Sequence, residues 1–292
     1  MFEKKIKKVG IVCNDAGPAN LIVQWMRYYK YEYILRAQGA AKKIFERTLP
    51  NLSTNNSLKN VIKNSEVVIT GTSNISTIEN RARILARQNK KRVIAVMAHW
   101  VMYKEGFIYK GKIILPDEVW VVNKKSLLIA KKLFKNILIR KKKNLLESLM
   151  QGIKKDKKQK IRNFLYFLEP INESVEFLAL KKFFLFLKKN NLTKNINITF
   201  KLHPREKAAK YKKFLKMFDE FNYKIIDDVD LKTLFSWSQV IFGMRSYALI
   251  LGLKSKRPVF SLLPIQKFKT TLPYKIKTID EISHKYLTIL KH

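Results

Sequence analysis

Short apolar runs alternate along this chain with stretches that place their apolar residues at helical spacing. KVGIVC (8–13), YEYILRA (31–37), SEVVITGTS (65–73), KRVIAVMAHW (91–100) and DEVWVVN (117–123) read as strands. PANLIVQWMRYY (18–29), AAKKIFERTL (40–49), TIENRARILARQN (77–89) and KSLLIAKKLF (125–134) read as helices between them, with Ile84 and Leu85 on the apolar side of the third. The alternation then repeats. NFLYFLEP (163–170), INITFKLHP (196–204), YKIID (223–227), QVIFG (239–243) and RPVFSLL (257–263) are the second set of strands. ESVEFLALKKFFLFLKKN (173–190), KYKKFLKMFDEF (210–221), DLKTLFSWS (230–238) and SYALILGLKS (246–255) are the helices that separate them. Strands that alternate with helices predict βαβ units, parallel sheets and right-handed crossovers.

Between the two sets lies RKKKNLLESLMQGIKKDKKQKIR (140–162), dense in cations. It predicts a boundary: an N-terminal Rossmann-like domain over 1–145, a basic linker over 146–159, a C-terminal Rossmann-like domain over 160–275 and a helix over 276–292. The predicted fold class is α/β, two doubly wound domains facing a cleft, with ligand-facing loops at the carboxyl ends of the strands.

Composition narrows the partners. Sixty Lys and Arg against 22 Asp and Glu give a net charge of +38 at pH 7, a field that attracts phosphate on nucleotides, nucleic acid or lipid. The lysines are spread over the whole chain, so compositional drift of an AT-rich genome competes with any dedicated nucleic-acid surface and outweighs it. A Phe-rich helix at 175–189 and the basic stretch 140–162 would suit peripheral association with an acidic membrane. Core burial is the stronger reading of that helix. Cys13 is the single cysteine, which excludes a disulfide within one chain and makes the cytosol the expected compartment, with placement at the inner face of the cell membrane as an addition. The apolar start is broken by Asn14-Asp15 and reads as a strand, not a signal peptide. No run reaches the ~20 apolar residues of a spanning helix.

Candidate chemistry gathers at strand ends. His203 closes a strand and Pro204 biases it toward an extended backbone. Its imidazole, neutral or cationic, either meets a phosphate or packs and caps. In FGMRSYALILG (242–252), Gly243 permits a close backbone approach, Arg245 adds a cation, and Ser246 begins a helix whose free N–H groups favour an anion. The competing role of Ser246 is an ordinary N-cap. In CNDAGPANL (13–21), Asp15 is either a general base or a helix cap, with Gly17 and Asn20 beside it as substrate contacts. Thr72 and Ser73 suit a sugar hydroxyl or a cap. His99, Trp100 and Glu105 combine an imidazole, a stacking ring and an acid, so His99 and Glu105 are alternative bases; a buried aromatic corner is the other reading. Glu169 repeats the strand-end pattern in the second half. Asp228 and Asp230 read as helix caps, and no zinc spacing, Gly-x-Gly-x-x-Gly or Walker loop is present.

ITFKLHPRE followed by VIFGMRSYALILGLKSKRPVFSLLP resembles the second half of GT-B glycosyltransferases, above all bacterial sialyltransferases, capsule Kdo transferases and glycerophosphotransferases that use cytidine nucleotides. The run DAGPAN through LPDEVWVVN resembles proteins of bacterial surface-polysaccharide loci, which share the fold of nucleotide-sugar 2-epimerases. The resemblance implies a transferase that moves a sugar from a nucleotide-sugar donor to a saccharide or lipid-linked acceptor. It implies no metal and no cofactor beyond the nucleotide-sugar substrate, and donor-phosphate contacts from His203 and Ser246. A 2-epimerase-like isomerase and a basic nucleic-acid- or membrane-binding scaffold without catalysis are the alternatives. The oligomeric state is left open.

Overall fold

The computed structural model describes residues 6–99, 104–154, 161–227, 229–263 and 276–282. The chain divides into two compact units, Met1–Leu146 and Glu147–His292.

The first unit runs β1 (Lys8–Cys13), α1 (Ala16–Tyr28), β2 (Glu32–Ala37), α2 (Gly39–Thr48), α3 (Leu58–Lys63), β3 (Val67–Thr70), α4 (Ile78–Gln88) and β4 (Arg92–Met97). A small antiparallel pair, β5 (Ile108–Tyr109) and β6 (Lys112–Ile113), precedes β7 (Glu118–Val121), α5 (Lys124–Leu133) and β8 (Leu138–Lys141). Its sheet is ordered β2-β1-β3-β4-β7-β8, with every pair parallel. The inner strands are apolar throughout because both faces are covered: Val9, Ile11, Val12, Val68, Ile94, Ala95 and Val96 are all inaccessible to solvent. Glu118 sits among them as a buried carboxylate, tolerated because Arg92, Arg140 and the Trp120 indole N–H all donate to it.

The second unit begins in α6 (Leu145–Gln151), which lies across the predicted linker. It continues with β9 (Arg162–Phe167), α7 (Glu173–Lys189), β10 (Ile196–Lys201), α8 (Ala208–Leu215), β11 (Tyr223–Ile226), α9 (Leu231–Trp237), β12 (Val240–Gly243), α10 (Tyr247–Lys254), β13 (Val259–Ser261) and β14 (Lys277–Thr278). The order β11-β10-β9-β12-β13-β14 is that of a Rossmann sheet, again parallel throughout. Buried Arg257 donates to the carbonyls of Ile153 and Lys154, so the basic stretch is held to this unit at that point.

The core of the second unit is aromatic. Phe183 packs against Phe242 (4.9 Å between centroids) and Tyr166 (5.2 Å), and Phe184 stacks on Phe218 at 4.1 Å. The Phe-rich helix therefore serves the core through Phe183, Phe184 and Leu187, while Leu185 remains 52% exposed on its outer side.

Two predicted elements need correction. In α4 the buried face is Ile78, Glu79, Asn80, Ala82, Arg83 and Ala86; Leu85 is half-buried and packs against the core cluster of Ile62, Val68, Ala86 and Val93, and Ile84 is half-buried. The small alanines let α4 approach the sheet closely, which turns Glu79 and Arg83 inward. The described part of the predicted C-terminal helix, 276–282, is instead β14 and a 3-10 turn (Ile279–Glu281). Lys277 and Thr278 complete the sheet on β13, and a Thr278–Glu281 capping box fixes the turn. Residues 283–292 lie outside the described residues. Asp230 caps α9 as expected, accepting from the Lys232 and Thr233 amides; Asp228 lies outside the described residues.

Phe183→Ala is expected to lower the unfolding free energy of the second unit by about 3–5 kcal/mol in urea denaturation. Leu185→Ala, two residues along the same helix, is expected to change it by less than about 1 kcal/mol. Equal costs would mean that α7 does not bury the face assigned here.

Candidate functional site

In an open parallel sheet, ligands bind beyond the carboxyl ends of the strands where the strand order reverses. That point lies between β1 and β3 in the first unit and between β9 and β12 in the second. Asn14, Asp15 and Gly71–Ser73 stand at the first; Glu169 and Met244–Ser246 stand at the second.

At the first point, Asp15 occupies the N-cap position of α1 but its side chain makes no cap hydrogen bond. The carboxylate instead accepts from Asn14 Nδ2 (2.9 Å) and Ser73 Oγ (3.1 Å). Of the two roles open to Asp15, capping is the one the structure does not use. Ser73 is buried, and its hydroxyl also accepts from the Ile75 and Ser76 amides, so it shapes the turn after β3. Thr72 Oγ1 donates to the Val96 carbonyl on β4. Asn20 Nδ2 donates to the Ala16 carbonyl one turn back, so that amide is spent on the helix. A Cβ on Gly17 would lie 3.2 Å from Ala98 Cβ, which makes close helix–sheet packing a sufficient reason for this exposed glycine. His99 is half-buried after β4, Glu105 is exposed in the 3-10 turn Glu105–Phe107, and Trp100 lies outside the described residues.

Behind this edge lies a pair that the sequence pattern concealed. Glu79 is fully buried and accepts from the Asn14 backbone N–H at 2.8 Å. Its other carboxylate oxygen has no hydrogen-bond partner. Burial raises its pKa to about 7, against the opposing pull of its own and the Asn14 amides and of Arg83. Arg83 donates to Thr70 Oγ1, the Gly71 carbonyl, Asn80 Oδ1 and the Gly106 carbonyl, and lies over the Phe107 ring at 4.7 Å. It thereby ties β3, α4 and the turn before β5 together. Burial lowers its pKa to about 10, so it remains a cation at neutral pH. The only trace of this pair in the sequence is the small-residue spacing Ala82/Ala86, which marks a buried face beside them.

At the second point the free amides expected at the start of α10 are already engaged. Glu169, fully enclosed at the end of β9, accepts from the N–H groups of Met244 (3.0 Å), Arg245 (2.8 Å) and Ser246 (2.6 Å). The protein supplies its own anion because unpaired backbone donors and a buried carboxylate would each be costly alone. Burial raises the Glu169 pKa to about 7, opposed by those three amides and by the Arg245 charge. Ser246 is a true N-cap, its Oγ accepting from the Ala248 amide. The close approach at Gly243 is internal: a Cβ there would meet Leu249 Cδ2 at 3.1 Å and the Phe167 carbonyl at 3.2 Å.

His203 follows β10, on the far side of β9 from β12. Its Nδ1 accepts from the Arg205 amide at 3.2 Å, which leaves the proton of the neutral ring on Nε2. Burial, reinforced by Arg205 and Lys201, lowers its pKa to about 3. The cationic form considered from sequence is thus disfavoured, and His203 offers one N–H rather than a charge. Two strand spacings put its strand about 10 Å from the strand that leads to Ser246. Among the described residues, no three His, Cys, Asp or Glu side chains cluster as metal ligands, and no helix is long and apolar enough to cross a membrane.

No protein-family model matches the chain, and no curated protein sequence does. Solved structures do. The Staphylococcus aureus protein MnaA bound to UDP is 12% identical, with a TM-score of 0.62 over 98% of this chain and 90% of that one. The UDP-GlcNAc 2-epimerase from Methanocaldococcus jannaschii is 14% identical, with a TM-score of 0.59 over 97% and 91%. A mutant of S. aureus TarM in complex with Fondaparinux, alpha-GlcNAc-glycerol and UDP is 16% identical, with a TM-score of 0.51 over 80% and 50%. At these identities the likeness establishes the fold: two parallel-sheet α/β domains of the GT-B-like kind.

The buried carboxyls carry a pH signature. Glu169 titrates near 7 when folded, against 4.5 for the ordinary group. Between those values the folded chain holds a proton that the unfolded chain has released, so stability falls as pH rises from about 4.5 to about 7. Glu169→Gln cannot ionise and is expected to flatten that fall by about 1–3 kcal/mol. Urea midpoints compared across this range would show it; an identical slope in the variant would mean Glu169 ionises normally.

Proposed function

We propose that this chain is a glycosyltransferase that takes a sugar from a pyrimidine-nucleotide donor and passes it to a saccharide or lipid-linked acceptor in surface-polysaccharide synthesis. The observation that carries the reading is the second switch point. A neutral histidine with its N–H on Nε2 flanks β9 on one side, and Arg245 and the Ser246 hydroxyl flank it on the other. This set suits a nucleotide phosphate, and the fold is that of proteins solved with UDP.

In this proposal the acceptor hydroxyl attacks the anomeric carbon. Its proton passes to the Asp15 carboxylate, which Asn14 and Ser73 orient. The bond from the anomeric carbon to the phosphate oxygen breaks, and its electron pair stays on the nucleotide. His203 Nε2–H, Ser246 Oγ–H and the Arg245 guanidinium stabilise that charge. Glu169 serves as a positioning residue that holds the Met244–Ser246 loop. His99 and Glu105 are alternative bases. The resemblance in sequence favours a cytidine nucleotide, whereas the MnaA and TarM structures were solved with UDP.

A second reading is a nucleotide-sugar 2-epimerase. Several of the similar structures carry that name and match over nearly the whole chain. Product analysis separates the two, since a transferase releases free nucleotide and an epimerase returns the sugar still activated.

CMP, CDP, UDP and GDP, each added to the protein in a thermal-unfolding assay, test the donor site. The matching nucleotide is expected to stabilise the protein by about 2.7 kcal/mol at a concentration of 100 Kd, and His203→Ala to lose that response. Asp15→Asn is expected to lower turnover about 100- to 10,000-fold with nucleotide binding intact. If no nucleotide stabilises the wild type, the reading gives way to a scaffold without catalysis.

A further inference from the structure

The reaction proposed above uses Asp15 and leaves its buried neighbour Glu79 idle. The two carboxyl groups are joined through one residue. Asn14 donates its backbone N–H to Glu79 Oε1 at 2.8 Å and its side-chain Nδ2 to Asp15 Oδ1 at 2.9 Å. Asn14 is itself buried, so its two amide groups hold both acids from inside the fold. Glu79 reaches this point past Gly71. A Cβ on Gly71 would lie 3.3 Å from Glu79 Oε1 and 2.8 Å from Cys13 Sγ, so a larger residue there would crowd both.

Satisfying the Asn14 amide accounts for one oxygen of Glu79. It does not account for Oε2, which is buried without a partner, or for the placing of one acid beside another. Among the described residues, the titratable groups that face Glu79 are Arg83, Cys13 and Asp15. Arg83, one turn along α4, donates to Thr70, Gly71, Asn80 and Gly106 instead of to Glu79. The Cys13 thiol on β1 is fully buried; burial first, then Glu79 and Asp15, push its pKa up, so it stays neutral. Burial is also the main reason that Glu79 titrates near 7, and the Asp15 anion adds to the rise. Asp15 is half-buried and open to an acceptor, whereas Glu79 is wholly enclosed.

We infer that Glu79 and Asp15 form one coupled carboxyl pair bridged by Asn14, in which Glu79 is a positioning residue whose ionisation governs how readily Asp15 accepts a proton. Ionised Glu79 holds the Asn14 amide more tightly, because a charged acceptor makes the stronger hydrogen bond. It also leaves two anions at one edge, and a proton arriving on Asp15 relieves their repulsion. Both effects favour proton transfer to Asp15 as pH rises through about 7, where Glu79 loses its proton. The coupling stands on the geometry; its effect on turnover rests on the Asp15 base proposed above.

Two measurements separate the pair from the reaction. The carbon-13 shift of the Glu79 carboxyl, followed by NMR over about pH 5 to 9, gives its titration midpoint. In Asp15→Asn that midpoint is expected to fall by about 0.3 pH unit or more, because the opposing anion is gone. An unchanged midpoint overturns the pair, whether or not the protein transfers sugar. In turnover assays, kcat of the wild type is expected to rise about twofold or more between about pH 6 and 8. Glu79→Gln keeps an acceptor for the Asn14 amide but cannot ionise, and is expected to lose that rise. A rise retained in Glu79→Gln overturns the positioning role. The NMR arm changes nothing at the buried position, so it decides the pair even where Glu79→Gln fails to fold. A shifted midpoint in a protein that transfers no sugar upholds the pair and overturns the reaction instead.

Discussion

Each sheet is closed at the carboxyl ends of its strands by one buried carboxyl group that accepts backbone N–H from the loop across the switch point. In the first unit Glu79 holds the amide of Asn14, and in the second Glu169 holds the amides of Met244, Arg245 and Ser246. The constraint is electrostatic. Loops leaving a parallel sheet carry amides that the ladder no longer satisfies, and burial removes water as a partner. One oxygen of Glu169 accepts from three such donors at once. The rest of each edge depends on this. The Asn14–Asp15 turn, which presents the Asp15 carboxylate, and the Met244–Ser246 turn, which presents Arg245 and Ser246, take their shape from it.

The same arrangement holds both carboxyls close to neutrality. Desolvation favours the protonated form and outweighs the amides, which favour the anion, so both pKa values rise to about 7. Arg83 serves the first edge in a different way. Its guanidinium spans Thr70, Gly71, Asn80 and Gly106, so the end of β3 and the turn before β5 are fastened by a cation that solvent does not reach. Burial favours the neutral form of His203 as well, there by lowering the pKa. With its Nδ1 engaged by the Arg205 amide and lysine and arginine nearby, it stays neutral and presents a single donor.

Much of the fold was legible because inner parallel strands are apolar on both faces. KVGIVC, SEVVIT and INITFK could hardly be other than strands, and the helices between them follow from their spacing. The elements that pattern did not reveal are short, polar or peripheral. α3 spans six residues, β8 carries exposed cations on the sheet margin, and β14 contributes two residues. At the site, position at strand ends picked out Asp15, Ser73, Glu169, His203 and Ser246. It gave no sign of Glu79 and Arg83, since charged residues on a helix ordinarily face water.

The sequence by itself determined the two α/β halves, the carboxyl-end loops where chemistry would gather, and the basic character of the surface. Those follow from local periodicity and composition, which need no knowledge of what folds against what. Only the tertiary structure decided partners. It assigned the α10 amides to Glu169, turned Asp15 from capping its helix to Ser73, and fixed the tautomer of His203. Each of these depends on groups far apart in the chain or on which side of an element meets solvent. A hydrogen bond between residues 169 and 246 leaves no mark on the local pattern of either.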